Sequence, residues 1–256
     1  MLFDTHTHIN VEQFKGEEAE VIRRANEEGV DRMAVVGFDY PTIDKALELA
    51  HAYDGIYTIL GWHPTESATY SDEVEEKLFR FLSDKSVVAM GEMGLDYYWD
   101  TAPKAVQHDA FRRQLRVAKE LNLPVSIHNR EATEDTYKIL KEEHAGDTGG
   151  IMHSFNLDPY WMEKFLDIGM HISLNGIVTF KNAPEVKESA VQVPFDKLLV
   201  ETDAPYLAPM PNRGKRNEPG YVRYVAEEIA RLRGLSLEEV AEQTTQNALK
   251  LFKLKE

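Results

Sequence analysis

Strand-like and helix-like segments alternate along this chain, and the alternation limits the possible folds more than any other feature. Short apolar runs rich in β-branched residues are each followed by a stretch in which apolar residues recur at helical spacing. The first predicted strand begins at Leu2, and the others cover residues 32–38, 57–63, 87–93, 124–128, 149–155, 171–174 and 198–202. The predicted helices cover residues 17–29, 42–53, 103–121, 134–144, 159–168, 183–191, 221–233 and 237–251, and one more begins near the candidate N-cap Ser71.

Repeated strand–helix units favour parallel strands, because each helix returns the chain to the start of the next strand. Eight units in 256 residues fit a closed barrel, which typically takes roughly 250 residues. We therefore predict an α/β fold, a (β/α)8 TIM-type barrel, formed as a single domain over residues 1–256. An open doubly wound sheet is the alternative. It would usually carry a glycine-rich phosphate loop after the first strand, and residues 4–10 contain no glycine.

Composition narrows the function classes. The formal charge of −15 argues against a broad surface that coats nucleic acid, but not against a nuclease that holds phosphate through metals and a few local cations. The chain has no cysteine, so a metal would have to be held by histidines and carboxylates. The start of the chain does not resemble a signal peptide, and no apolar run approaches the ~20 residues of a membrane span. We expect a cytoplasmic protein with no membrane association and no obligate protein partner.

Histidines and carboxylates stand where the predicted strands end, and in such barrels the active site lies at those ends. His6 and His8 follow the first strand on the same side, because side chains alternate along a strand, and two imidazoles can chelate a divalent metal. Taken alone, this pair is equally consistent with two surface histidines. The later strand ends add His63, Glu92, His128, His153, Asn175, Glu201 and Asp203. Together they predict a metal site at the C-terminal ends of the strands, whereas the histidines elsewhere are interpreted as structural or solvated.

Seven motifs in this order resemble those of the TatD family, metal-dependent deoxyribonucleases among the amidohydrolase-like barrels. The resemblance covers nearly the whole chain, and one small departure is Ser154, where relatives often carry cysteine. The motifs are Asp4-Thr5-His6-Thr7-His8, Gly61-Trp62-His63-Pro64, Gly91-Glu92-Met93-Gly94-Leu95-Asp96, His128-Asn129-Arg130-Glu131-Ala132, His153-Ser154-Phe155, Glu201-Thr202-Asp203-Ala204-Pro205 and Arg216-Asn217-Glu218-Pro219.

The resemblance implies a site for two divalent metal ions. His6, His8, Glu92 and Asp203 would hold one ion, Glu92 would bridge, and His128 and His153 would complete the second site. A bridging carboxylate suits two cations ~3.5–4 Å apart. Several imidazoles favour Zn, Mn, Co or Ni, whereas the family resemblance implies Mg, so the identity of the metal stays open.

Four residues are predicted to be catalytic: Glu92, His63, Glu201 and Asp203. Glu201 is expected to orient a ligating histidine or a bound water, with direct ligation as its alternative. His63 is placed against the substrate phosphate or as a proton donor to the leaving oxygen, because each metal already has enough ligands. Its alternative is a third metal ligand.

Cations near the strand ends are candidates for binding the substrate, as is His63. Arg130 follows His128 and could pair with phosphate or with a site carboxylate. Arg213, Lys215 and Arg216 follow the last strand and could hold a nucleic-acid backbone, or they could form a solvated basic loop. Three aromatic residues after Glu92, at positions 97–99, could stack on an unpaired base or pack the loop down.

These residues predict a metal-dependent hydrolase that cleaves phosphodiester bonds of DNA. The family resemblance adds 3′–5′ exonuclease action, with single-stranded DNA as the expected substrate. One alternative is an amidohydrolase-type enzyme that cleaves amides or esters, such as an aminoacyl-tRNA deacylase. The other is a non-enzymatic metal-binding or scaffold protein, which is disfavoured because the site lies at the open face of a barrel.

Overall fold

Eight parallel strands lie side by side in chain order and curve into a nearly closed barrel surrounded by helices. The structure is a computed structural model that describes residues 1–99 and 101–255. The strands are β1 (Leu2–Thr7), β2 (Val30–Gly37), β3 (Ile56–Leu60), β4 (Val87–Asp96), β5 (Val125–Arg130), β6 (Gly150–Met152), β7 (Met170–Leu174) and β8 (Leu198–Val200). The helices are α1 (Glu18–Glu27), α2 (Tyr40–Ala52), α3 (Asp72–Phe81), α4 (Lys104–Glu120), α5 (Thr133–Glu142), α6 (Pro159–Asp167), α7 (Pro184–Gln192), α8 (Val222–Arg233) and α9 (Leu237–Leu251).

The barrel closes where the segment after β8 meets β1. The backbone N–H of Asp203 donates to the carbonyl oxygen of His6 over 2.9 Å, and that of His8 donates to Ala204 over 2.8 Å. Buried Asp4 adds a side-chain link, because its carboxylate accepts from the backbone N–H of Thr202 at 2.8 Å and from the hydroxyl of Thr202 at 2.5 Å. The predicted (β/α)8 barrel is confirmed, and the open doubly wound sheet is wrong.

Apolar side chains are buried on both faces of the strands, which is why the strands have nearly continuous apolar sequences. On β2, Val35 joins a large cluster that includes helix residues such as Ile43. Its neighbour Val36 joins a smaller cluster that also contains Phe3 of β1 and Ile151 of β6, strands that can meet only inside the barrel. The alternation of side chains along β2 therefore separates the barrel interior from the layer under the helices.

Several strands begin or end at residues other than those predicted. β3 ends at Leu60, and His63 instead precedes a 3₁₀ helix, Pro64–Thr69. β4 continues to Asp96, because residues 94–96 pair with residues 128–130 of β5. Gly94 permits this pairing, since its φ is +147° and a Cβ there would lie 2.0 Å from the carbonyl oxygen of His128. The candidate residues therefore lie at strand ends or in the first residues of the loops that follow.

Helix starts follow ordinary capping chemistry. Ser71 accepts from the N–H of Val74 at the start of α3, as predicted, and Asp39 forms a capping box with Thr42 at the start of α2.

In the part of the chain that the structure describes, no helix is both long enough and apolar enough to cross a membrane.

Candidate metal centre

The carboxylate of Glu92 lies at the middle of the strand ends, and its two oxygens face different histidines. Oε2 lies 3.5 Å from His6 Nε2 and 3.8 Å from His8 Nε2. Oε1 lies 2.6 Å from His128 Nδ1 and 3.1 Å from His153 Nε2. The fold therefore brings the predicted ligands of both ions to one carboxylate, with one group of ligands at each oxygen.

The group at Oε2 has the spacing expected of ligands around one ion. Ligand atoms bonded at about 2.0–2.1 Å to a tetrahedral ion lie roughly 3.4 Å apart. The Nε2 atoms of His6 and His8 are 3.2 Å apart, and Asp203 Oδ1 lies 3.9 Å and 3.3 Å from them. The donor set of two imidazoles and two carboxylates thus fits a divalent cation.

The group at Oε1 is also suited to a cation. His128 lies between two carboxylates, because its Nδ1 faces Glu92 and its Nε2 lies 2.9 Å from Asp96 Oδ2. A cation between Nδ1 and Oε1 would take the place of a shared proton. Glu201 Oε2 is buried without a hydrogen-bond partner among the described residues, a state that a nearby cation would compensate.

Two carboxylates behind the histidines fix the direction of the rings. Glu201 Oε1 accepts from His153 Nδ1 at 2.9 Å and from the backbone N–H of Ser154 at 2.8 Å, so Nε2 of His153 faces Glu92 and is the nitrogen on which a cation would replace a proton. This is the position that the prediction for Glu201 requires. Asp96 does the same for His128 but was not singled out from the sequence. The available signal was its place on β4, four residues after Glu92 and therefore on the same side of the strand.

The electrostatics of the buried site favour an ionised Glu92. Burial would raise the pKa of its carboxyl, but the neighbouring histidines, led by His153 and His63, hold that pKa well below its usual range. Burial lowers the pKa of His153, but Glu201 and Glu92 outweigh it and raise that pKa well above its usual value. His6 has a lowered pKa because of burial and the neighbouring His153. The centre therefore has an ionised Glu92 surrounded by histidines whose pKa values are shifted in opposite directions, upward for His153 and downward for His6.

His63 differs from the other histidines in its hydrogen bonds. Its Nδ1 accepts from the backbone N–H of Thr65 at 3.1 Å and lies 2.6 Å from the Thr65 hydroxyl. When the ring is neutral, its proton must therefore be on Nε2, which lies 3.6 Å from Glu92 Oε1. His63 thus presents a donor to the site, whereas His153 presents a nitrogen on which a cation would replace a proton.

The predicted substrate cations fall into two groups. The guanidinium of Arg216 pairs with Glu17 and Glu218 and donates to the carbonyl oxygen of Gln13 at 2.7 Å, so neighbouring residues already compensate its charge. By contrast, Arg213 lies over the ring of Phe180 at 4.3 Å, and Arg130 lies over Tyr98 at 3.8 Å. Arg130, Arg213 and Lys215 have no carboxylate partner in the described part of the chain.

A parallel barrel with buried histidines and carboxylates gathered at the C-terminal ends of its strands defines a class, the barrel hydrolases that use divalent metals. This chain agrees with that class in three respects. Its donor atoms are imidazole nitrogens and carboxylate oxygens, Glu92 contacts histidines through both of its oxygens, and Glu201 and Asp96 orient the histidine rings.

Comparison with known proteins makes this assignment more specific. The family model described as TatD related DNase matches residues 3–253. YabD of Bacillus subtilis, named an uncharacterized metal-dependent hydrolase, is 50% identical over 254 residues, 99% of this chain and 100% of that protein. The protein named 3'-5' ssDNA/RNA exonuclease TatD in Klebsiella pneumoniae is 31% identical over 256 residues, 98% of this chain and 97% of that protein. The crystal structure of YJJV, a TatD homolog from Escherichia coli, superposes with a TM-score of 0.93 at 30% identity and covers 99% of this chain and 98% of that one.

The chain therefore belongs to the TatD related DNase family. The predictions of this family and of a hydrolase are confirmed, and the alternative of a non-enzymatic scaffold is set aside.

Proposed function

We propose that this hydrolase is a two-metal phosphodiesterase that degrades single-stranded DNA from its 3′ end. The observation that carries the proposal is the arrangement at Glu92, whose oxygens face two separate groups of histidines. One divalent ion would be held by His6, His8 and Asp203, and a second by His128 and His153, with Glu92 between them. When bound, two such cations supply positive charge to the attacking and leaving oxygens of a phosphoryl displacement and lower the pKa of water.

The residues of the chain then have separate tasks. Asp203 lies toward solvent, with 14% of its side chain exposed against 6% for Glu92, and its carboxylate takes a proton from the attacking water. His63 donates from Nε2 to the leaving oxygen. Glu201 keeps His153 in its orientation, and Asp96 does so for His128.

Binding of the strand is assigned to the cations that have no carboxylate partner among the residues that the structure describes. Arg130, Arg213 and Lys215 are assigned to the substrate phosphates. Arg216, which the sequence placed with them, is assigned instead to holding the loop after β8 against α1 through Glu17. The name of the Klebsiella pneumoniae relative, a 3'-5' ssDNA/RNA exonuclease, supports the 3′-to-5′ direction and the single-stranded substrate. The proposal places the enzyme in the cytoplasm, and cell fractionation with immunodetection tests that location.

The experiment uses labelled single-stranded DNA, blocked at either its 3′ or its 5′ end, with duplex DNA and RNA of the same sequence as comparisons. Loss of single nucleotides from a free 3′ end, prevented by the 3′ block, supports the proposal. A panel of amides and aminoacyl esters is run in parallel. Turnover of a panel member with no cleavage of any nucleic acid would refute the phosphodiesterase assignment.

The native metal is tested separately. Imidazole-rich donors favour Zn, Mn, Co or Ni, and the family resemblance implies Mg. The metal-free protein is loaded with each ion in turn, and cleavage of one labelled oligonucleotide is measured. We expect two ions bound per chain with the ion that gives full activity, and one ion per chain would contradict the two-metal assignment.

A further inference from the structure

The arginines of this acidic chain are nearly all compensated. Most of those in the described part pair with carboxylates: Arg23, Arg24, Arg32, Arg80, Arg112, Arg113, Arg116, Arg216, Arg223 and Arg231. Arg233 donates to backbone carbonyl oxygens. Arg130 and Arg213 have neither kind of partner among the described residues. Arg130 is the last residue of β5 and Arg213 lies in the loop after β8, so both are at the end of the barrel that carries the candidate metal centre.

Exposed aromatic rings gather at the same end. Tyr98 is 50% exposed, Trp99 52%, Tyr160 61% and Tyr206 51%. All four lie in segments that directly follow β4, β6 or β8, where the C-terminal ends of the strands open. Exposed apolar groups that adjoin one another beside a site mark a surface that binds something, whereas a single exposed ring is ordinary. Of these four, Tyr98 and Trp99 adjoin each other.

The three consecutive aromatic residues after β4 lie in two different environments. Tyr97 packs the loop down, because its hydroxyl lies 2.6 Å from His108 Nε2 and 2.6 Å from Asp135 Oδ2. Tyr98 and Trp99 instead extend into solvent, with ring centroids 4.8 Å apart. The guanidinium of Arg130 lies 3.8 Å from the Tyr98 centroid and 5.8 Å from that of Trp99.

This group is tied directly to the metal centre. Asp96 Oδ1 accepts from the backbone N–H groups of Tyr98 and Trp99, at 3.0 Å and 3.1 Å. The other oxygen, Oδ2, contacts His128 Nε2. One buried carboxylate therefore fixes the backbone that carries the two rings relative to a candidate metal ligand. A base bound on the rings would then lie within a restricted distance of the candidate metal centre.

We propose that Tyr98, Trp99 and Arg130 form a subsite for one unpaired nucleobase of the substrate strand, an inference that rests on the proposed nuclease function. Exposed rings bind a base by stacking, whatever its identity. The uncompensated cation beside them suits a ligand that is both aromatic and anionic, as a nucleotide is. A paired base in a duplex has both faces covered by its neighbours, so the subsite selects an unpaired one.

The test measures binding of a fluorescent single-stranded DNA with phosphorothioate linkages, which slow hydrolysis, by anisotropy in the presence of metal. Abasic sugars replace one nucleotide at a time. For the wild type, removing the base at one position should lower affinity about tenfold, the size typical of a base stacked on aromatic side chains. For the double variant Tyr98→Ala/Trp99→Ala, affinity should be about tenfold lower throughout, and that position should no longer matter.

The matched control is Tyr160→Ala, which removes an equally exposed ring that contacts Trp161 rather than Arg130. It should keep the abasic pattern of the wild type. The subsite is overturned if the wild type does not bind the oligonucleotide, if the double variant keeps the same abasic pattern, or if Tyr160→Ala loses it equally.

A second substrate separates this inference from the proposed function. Bis(p-nitrophenyl) phosphate is a phosphodiester without bases. If the wild type cleaves neither this compound nor DNA, the proposed function fails. The effect of abasic sugars on binding affinity still tests the subsite in that case. If the wild type cleaves both, the loss of turnover in the double variant should be at least about tenfold larger on DNA. Equal losses would show that the loop supports the metal centre and does not bind a base.

Discussion

Hydrogen bonds to the ring nitrogens determine what each histidine of the centre can do. His153 donates from Nδ1 to Glu201, so Nε2 is the nitrogen on which a cation would replace a proton. His63 accepts at Nδ1 from the backbone of Thr65, so its neutral ring offers a proton on Nε2. Both rings lie near the same carboxylate oxygen, Oε1 of Glu92. Their opposite orientations support the roles proposed for them, a metal ligand for His153 and a proton donor for His63.

The variant His63→Ala should therefore lose rate but keep metal. A positioned proton donor typically contributes ~100- to 10,000-fold to rate. We expect a loss of that order in single-turnover cleavage, with metal content equal to that of the wild type. His128→Ala should lose both, and a substrate with a much better leaving group should partly rescue His63→Ala alone. Equal loss of metal in the two variants would make His63 a ligand.

Asp96 is expected to act through His128. Asp96→Asn removes the negative charge that fixes the ring, while its carbonyl oxygen can still accept from Tyr98 and Trp99. Removing such a partner typically costs 10–100-fold in metal affinity or activity. Competition with a fluorescent chelator measures the affinity, and Asp135→Asn, which contacts Tyr97 on the same side of the barrel, is the control. Metal affinity equal to that of the control would mean that Asp96 does not position the ligand.

Closure of the barrel depends on the contact between β1 and the segment after β8. Asp4 is buried there, and burial raises its pKa well above the usual range despite hydrogen bonds from Thr202. A raised carboxyl pKa stabilises the fold below the unfolded-state pKa, and this contribution is lost as the pH rises toward the folded-state value. The oxygens of Asp4 link the two sides of the closure by hydrogen bonds, but the buried negative charge destabilises the same contact.

We therefore expect Asp4→Asn, which can keep both hydrogen bonds without the charge, to gain stability relative to the wild type as the pH rises above about 4. The gain can reach about 1.4 kcal/mol per pH unit in that window. Urea unfolding at several pH values measures the difference, and Asp31→Asn, at a partly exposed position beside Arg32, is the control. A constant difference across the window would show that Asp4 carries no such penalty.

The strands and helices could be predicted because the sequence repeats one pattern, but the residues at which the strands end could not. The alternation of helical and extended segments located all eight strands, but β3, β6 and β8 end two or three residues before the ends expected. These ends depend on neighbouring strands: Gly61 N pairs with Gly37 of β2, and the chain then turns at Pro64. The candidate ligands were found because histidines and carboxylates recur where the strands end. Asp96 was missed although its spacing from Glu92 was visible in the sequence. The separation of Arg216 from Arg213 could not be found, because it depends on Glu17, which is distant in sequence.

Negative charge dominates the whole molecule. Among the residues that the structure describes, the two arginines without a carboxylate or carbonyl partner, Arg130 and Arg213, lie at the end of the barrel that carries the candidate metal centre. With a formal charge of −15, the chain repels nucleic acid at long range, so local cations must hold it. Arg213→Ala/Lys215→Ala should weaken binding of single-stranded DNA and lower the slope of log affinity against log salt by about 0.7 for each phosphate that is no longer neutralised. Arg231→Ala, which breaks a surface pair with Glu228, is the control. An unchanged slope would show that these residues bind no phosphate.

The arrangement of two ions about Glu92 is tested most directly by counting metal in the variant Glu92→Gln. Glutamine keeps the shape of the side chain but removes the charge that two cations would share, so one ion should be lost together with nearly all cleavage of single-stranded DNA, while the circular dichroism spectrum stays that of the wild type. Elemental analysis of protein after exhaustive dialysis gives the stoichiometry. We expect two ions per chain in the wild type and one in Glu92→Gln. Two ions and wild-type turnover in the variant would contradict a bridging role for Glu92.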